Sequence, residues 1–167
     1  MSNQIHVASL KDLNSVCTIF KQCAEFMREQ GIYQWDANYP NTNEIRENIT
    51  QSEVWIFKIG HTIVGTITLN EFQSPEYMEI PWRHHSFLVV HRLAVLPTSQ
   101  GKGIARILMD HAEQLCISNG KKSIRLDTYS LNPRNLKFYT NRNYQHLGNV
   151  HFREMSAPFL CLEKLLE

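Results

Sequence analysis

Nowhere in these 167 residues does an apolar run exceed a few residues, far short of a bilayer crossing. The N-terminus, MSNQIHVAS, lacks the basic stretch and apolar core of a secretory signal. Neither sign of charge prevails: 17 Lys and Arg against 16 Asp and Glu leave a formal charge of +1. A nucleic-acid binder or a funnel for acidic substrates needs a larger imbalance, so any positive field here is local. Cysteine is scarce as well. Cys17, Cys23, Cys116 and Cys161 show no metal-type spacing and fall in apolar segments. They read as reduced core residues of a cytoplasmic protein. Nor does any spacing among the eight histidines support a metal site. No repeat, low-complexity tract or composition break divides the chain, so residues 1–167 read as one domain able to bury a core.

What is present is a succession of short periodic segments. Ile5 to Ala8 suits a first strand, and Ser9 an N-cap. Leu13, Val16, Cys17, Phe20, Ala24 and Met27 then follow at helical spacing. A second helix is expected over about Thr42 to Ser52. Val54 to Ile59 and Thr62 to Leu69 are β-branched and aromatic runs joined by Gly60 and His61, a hairpin pattern. Asn70 to Ser86, with Pro75 and Pro81, reads as a long irregular connection. Phe87 to Val95 is nearly all apolar, as in a strand buried on both faces.

Helices from about Gly103 to Asn119 and from Pro133 to about Arg142 flank a strand at Ser123 to Tyr129. Strands near Tyr144 to Val150 and Phe159 to Lys164 finish the chain. The predicted order is β-α-α-β-β-β-α-β-α-β-β. The fold class is therefore α/β (α+β): a mixed, mostly antiparallel twisted sheet of six to seven strands, a central parallel pair, and helices on both faces.

The segment LPTSQGKGIARIL joins a buried strand to a helix N-terminus, where unpaired N–H groups and the helix dipole attract an anion. Gly101 and Gly103 let backbone approach a phosphate, and Lys102 and Arg106 add charge. Two phosphate motifs fail. A Walker A loop needs Ser or Thr after Lys102, and a dinucleotide fingerprint begun at Gly101 needs a small residue where Arg106 stands. The loop alone is equally a softened strand-to-helix turn.

Gln100-x-x-Gly103-x-Ala105, preceded by Arg92-Leu93-Ala94-Val95-x-Pro97, resembles the acyl-CoA-binding motif of the GNAT superfamily of N-acetyltransferases. NPRNLKFY, from Asn132 to Tyr139, with Asn143 and Tyr144 after it, resembles that superfamily's next helix and strand. Gln100 stands where Arg is more frequent, and Asn143 where Gly is usual. The resemblance implies the GNAT fold and acetyl-CoA as co-substrate. By position, it implies that Leu93, Ala94 and Val95 offer main-chain groups to the pantetheine arm. Gln100, Gly101, Lys102, Gly103, Ile104 and Ala105 would wrap the pyrophosphate, and Asn132 would lie near the thioester.

The implied reaction is aminolysis of a thioester: an amine attacks the carbonyl, an oxyanion forms, and thiolate leaves. Tyr139 holds the superfamily's general-acid position; without the resemblance it reads as a core aromatic beside Phe138 and Leu136. His91 is the base candidate, since an imidazole titrating near pH ~6.5 suits proton removal; it reads equally as a satisfied strand histidine. Alternation would set His91, Leu93 and Val95 on one side of the strand.

Acceptor candidates are Trp35 and Tyr39 in one loop, and Glu71, Tyr77, Glu79 and Trp82 in another. Carboxylates among aromatics suit a small basic amine. Two alternatives stand beside that acceptor: a protein N-terminus or lysine, and a non-catalytic acyl-CoA sensor. Superfamily members often dimerise, which leaves a homodimer open, while nucleic acid and membrane are not expected partners.

Overall fold

The computed structural model describes residues 4–152 and 155–167; residues 1–3, where the N-terminal reading begins, lie outside the described residues. In chain order the elements are β1 (Gln4–Val7), α1 (Leu13–Glu29), α2 (Thr42–Thr50), β2 (Val54–Ile59), β3 (Thr62–Asn70) and β4 (Phe87–Val95). There follow α3 (Ile104–Ser118), β5 (Ser123–Tyr129), α4 (Pro133–Thr140), β6 (Gln145–Val150) and β7 (Phe159–Leu165). The order matches the sequence expectation element for element. Seven strands of the described residues form a mixed sheet in the order β1-β2-β3-β4-β5-β7-β6. Phe87–Val89 of β4 pair in parallel with Ser123–Arg125 of β5. The β1–β2, β2–β3, β5–β7 and β6–β7 pairs are antiparallel.

The chain divides into two compact units, Met1–Leu69 with His91–Ala112, and Asn70–Val90 with Glu113–Glu167. In the first, the apolar stripe of α1 (Val16, Ile19, Phe20, Cys23) joins Ile45 and Ile49 of α2 and Val54 and Ile56 of β2 in one buried cluster. Asn41 starts α2 by accepting the Glu44 N–H at 2.9 Å. Ser9 works differently from a simple cap: its N–H and hydroxyl both donate to the Asp12 carboxylate, at 2.9 and 3.0 Å.

Gly65 of β3 decides how α3 is seated. A Cβ there would lie 2.9 Å from Ile104 Cγ2 and 3.0 Å from Leu108 Cδ1. Both side chains are buried, so neither can swing clear into solvent. The absence of one carbon thus brings the first turns of α3 against the strand.

In the second unit, β5 pairs with β7 along its whole length, setting Arg125 opposite Glu163 and Asp127 opposite Cys161. Glu163 is 0% exposed. Its Oε1 receives the Ser123 hydroxyl, and its Oε2 receives the Arg83 backbone N–H and Nε–H, each at 3.0 Å. Arg125 Nε lies 3.6 Å from Oε1. Arg125 further donates to Gln73 Oε1 and the His84 carbonyl, and its guanidinium stacks on Trp82 and Phe87, 4.6 and 4.0 Å from their ring centres. The connection 70–86, expected to be irregular, contains a short turn at Pro75–Glu79 and is tied to the sheet by these contacts.

The cysteines are free, and burial pushes the thiols of Cys23 and Cys161 up to about 12 and that of Cys116 up to about 11. Among the described residues no helix is long and apolar enough to cross a membrane.

Two outcomes are expected. Gly65→Ala overpacks the contact with α3 and lowers unfolding free energy by about 1–3 kcal/mol, read from denaturant midpoints; an unchanged midpoint would refute the close-approach account. Burial pushes the Glu163 carboxyl up, but the Ser123 hydroxyl, the Arg83 donors and the Arg125 charge outweigh it and hold the group below its usual 4.5. Its stabilisation is therefore present above that ordinary value and lost as pH falls through the depressed one. Glu163→Gln should cost about 3 kcal/mol near neutral pH and flatten the acid limb of the stability profile. Equal stability of variant and wild type at neutral pH would sink this assignment.

Candidate active site

The donor-side residues lie in the first unit. On β4, Arg92 takes φ 50°, a left-handed conformation that costs a non-glycine residue about 1–2 kcal/mol. Its guanidinium holds the distortion in place, with Nη2 donating to Asn48 Oδ1 and Nη1 standing 3.4 Å from Glu44 Oε2, both on α2. This interruption breaks the pleat between His91 and Leu93, so the alternation expected to align His91, Leu93 and Val95 does not run through the strand. His91 and Leu93 are half-buried, while Ala94 and Val95 are buried.

The end of β4 is fixed from two sides. The Val95 carbonyl accepts Gln100 Nε2 at 3.0 Å and Cys23 Sγ at 3.2 Å. The Leu96 N–H donates to the Val64 carbonyl at 2.8 Å. Gln100 thus anchors the loop to the strand it leaves. Gly101 and Gly103 adopt φ 78° and 80°, and a Cβ at either would meet nothing within 4 Å. Conformation rather than crowding demands glycine here, and the space beside the backbone is open. Lys102 and Arg106 are exposed, Ala105 is half-buried, and Ile104 is buried and pins the first turn of α3. That turn carries no acidic residue. A helix start with unopposed dipole and two open glycines is a cradle for an anion.

Tyr139 and Asn132 belong to the second unit. Asn132 is buried, and its Oδ1 caps α4 by accepting the Asn135 N–H at 3.3 Å, while Pro133 occupies the first helical position. Tyr139 is buried edge-on to Tyr144 and Phe138, with ring centres at 5.7 and 5.2 Å. Burial, with the Asp127 charge adding to it and Arg142 opposing, holds the Tyr139 hydroxyl well above the ordinary phenol value. The group is a proton carrier at neutral pH, never a phenolate. Asn143 turns the chain out of α4 at φ 66°, as its side chain tolerates.

The acceptor candidates separate by burial. Trp35 packs in the core of the first unit, edge-on to Phe20 at 5.4 Å, and Tyr39 lies half-buried against that core. In the second unit Tyr77 is buried and donates its hydroxyl to Asp127 Oδ2 at 2.6 Å. Trp82 gives its indole N–H to the Tyr77 carbonyl at 2.9 Å. Glu71 pairs with Lys121 at 2.7 Å, and Glu79 is exposed. The structure therefore brings Tyr77 and Trp82 together as anchors of segment 70–86. Sequence reasoning missed Asp127, Arg125 and Glu163. The signal available was a charged residue at alternate positions of a strand otherwise without charge, Arg125 and Asp127. Among the described residues no group of three or more His, Cys, Asp or Glu could hold a metal ion.

The family model of the Acetyltransferase (GNAT) family matches residues 13–144, and the chain belongs to that family; it is an acetyltransferase. A Bacillus subtilis (strain 168) protein, YesJ, described as an uncharacterized N-acetyltransferase, is 25% identical over 146 residues, covering 84% of this chain and 81% of its own. An acetyltransferase of the GNAT family from Streptococcus agalactiae 2603 superposes with a TM-score of 0.82 at 20% identity, covering 99% and 96% of the two chains. The PaiA N-acetyltransferase of Thermoplasma acidophilum, solved in complex with coenzyme A, superposes with a TM-score of 0.76 at 16% identity, covering 99% and 100%.

The buried state of Tyr139 has a spectroscopic consequence. Phenolate absorption of wild type and Tyr139→Phe should coincide through about pH 10 and separate only above it. A difference between them that develops near neutral pH would show that the hydroxyl is not held up as described.

Proposed function

We propose that this acetyltransferase moves the acetyl group of acetyl-CoA to the primary amine of a small basic molecule, by direct attack through a tetrahedral intermediate. The observation that carries this reading is the loop Gln100–Ala105: two open left-handed glycines at the start of α3, tied by Gln100 to the end of β4. The coenzyme A complex of the Thermoplasma PaiA relative supports the same donor. Leu93, Ala94 and Val95 pair with the pantetheine arm as an added strand does, and residues 100–105 take the pyrophosphate. Asn132, which caps α4, is assigned to the thioester.

In the reaction the neutral amine nitrogen forms a bond to the thioester carbon, and the carbonyl electron pair moves to oxygen. A backbone N–H at the end of β4, that of Val95, donates to this oxyanion. Collapse restores the carbonyl, breaks the carbon–sulfur bond and releases CoA, while the amide nitrogen loses its proton. An alkyl ammonium with pKa ~10 is neutral about once in a thousand molecules near pH 7, a cost of about 4 kcal/mol, so a base is needed. His91 takes that proton, directly or through water.

Tyr139 is the residue we assign to the leaving group. A phenol held above ~10 cannot give its proton downhill to a thiolate of pKa ~8.5. It acts as a hydrogen-bond donor to the charge growing on sulfur, with transfer completing as the thiol departs. Carboxylates and aromatics of segment 70–86, the exposed Glu79 among them, support a cationic acceptor. Balanced charge and reduced cysteines support a cytoplasmic protein, and the family match spanning residues 13–144 supports one catalytic domain for the whole chain.

Thiol release from acetyl-CoA, followed with a panel of small amines and peptides, tests the reading. Small amines should support release, reduced roughly hundredfold in Tyr139→Phe. Release with peptides alone would move the acceptor to protein amines. Donor binding without release to any acceptor would make the protein an acyl-CoA sensor.

A further inference from the structure

We infer that Arg92 is a positioning residue for acetyl transfer: its side chain, braced on α2, holds the distortion of β4 that aims the backbone beyond it at the thioester carbonyl. The inference rests on the reading above in which the Val95 N–H receives the oxyanion. Arg92 acts through the strand rather than on the reacting atoms.

Three costs fall on this residue. Its φ of 50° is one that glycine adopts without strain. Its side chain is charged yet only 9% exposed. Its Nε–H is buried and meets no acceptor among the described residues. A glycine at position 92 would avoid all three, so the backbone conformation alone does not call for arginine. Strain kept in a strand that serves a site points to a function for the geometry it maintains.

What the side chain gains is a grip on a rigid body. Glu44 and Asn48 stand four residues apart on α2, hence on one face, and the two ends of the guanidinium fork reach one each. The Asn48 amide is itself oriented: its Nδ2 donates to Glu53 Oε2 at 2.7 Å, which leaves Oδ1 to accept from Arg92. Ile45 and Ile49 of the same helix are buried in the core of the first unit, so α2 does not swing with the arginine.

The grip is felt three residues further on. The Leu96 N–H donates to the Val64 carbonyl on β3, and alternation turns the Val95 N–H and carbonyl to the other edge of the strand. There the carbonyl is taken by Gln100 and Cys23. The direction of the N–H follows from where the left-handed turn at Arg92 sends the chain. Donor affinity has a separate source, the cradle at residues 100–105. Loss of the brace therefore misdirects the N–H while CoA still binds, and small misplacements at a reacting centre cost large factors in rate.

Arg92→Gly frees the left-handed backbone of strain and removes the brace. Calorimetry with CoA should give nearly the wild-type affinity. With the amine that best supports thiol release, kcat should fall roughly ten- to hundredfold while KM for acetyl-CoA changes little. Arg92→Lys, with one nitrogen for two acceptors, should recover part of the rate. Asn48→Ala, which leaves β4 untouched, should also lower kcat, and the double variant should be no slower than Arg92→Gly alone. Wild-type kcat in Arg92→Gly, a loss confined to KM or CoA affinity, or effects that multiply in the double variant overturns the inference. An infrared measurement needs no acceptor: with acetyl-CoA isotope-labelled at the acetyl carbonyl, the bound carbonyl stretch should lie below its free value in wild type and return toward it in Arg92→Gly. The same lowered stretch in both proteins overturns the inference and leaves the function proposed above standing. A wild-type stretch at the free value overturns the Val95 donor and the inference together. Absence of transfer to every amine removes the proposed acceptor, and the infrared comparison then decides the inference by itself.

Discussion

Removing a carboxylate from water costs several kcal/mol unless donors and opposite charge replace the lost hydration, and Glu163 is wholly buried. The seating of segment 70–86 in the second unit follows from how that demand is met. Ser123 and Arg125 come from the neighbouring strand, but they do not suffice; Arg83 completes the set from segment 70–86. Because Arg83 must come to Glu163, the segment is drawn onto one face of β5 and β7. Arg125, held by the same carboxylate, reaches Gln73 and the His84 carbonyl, and Tyr77 and Trp82 are set in their wake. A stretch with two prolines and little periodicity thus acquires one conformation from a single buried charge.

The first unit rests on a different constraint, the close approach of α3 to β3 at Gly65. That contact sets the start of the helix, and the glycine loop must close the remaining distance from the end of β4. Gln100 fastens the loop at Val95, and Gly101 and Gly103 supply the two left-handed turns. The open backbone at the helix start is therefore a product of packing several residues away. Where Arg is more frequent at position 100, a charge stands near the loop; here an amide does and bonds the strand carbonyl instead. The anion-binding character of this loop then depends on backbone, dipole, Lys102 and Arg106.

Period and punctuation were enough to read the strands β2, β4 and β5 to the residue, because each is a β-branched or apolar run bounded by turn residues. Helix ends were legible to within a few residues, where caps such as Asn41 and Asn132 stand in the sequence. Three features were not legible. The left-handed Arg92 has no local signal, since its conformation is held by Asn48 and Glu44, more than forty positions away. The anchoring roles of Tyr77 and Trp82 depend on Asp127 and Arg125 across the sheet, and an aromatic in a loop looks the same whether it faces ligand or core. Asp127 and Glu163 are ordinary carboxylates in sequence; only their register on β5 and β7 shows that one receives Tyr77 and the other Ser123 and Arg83.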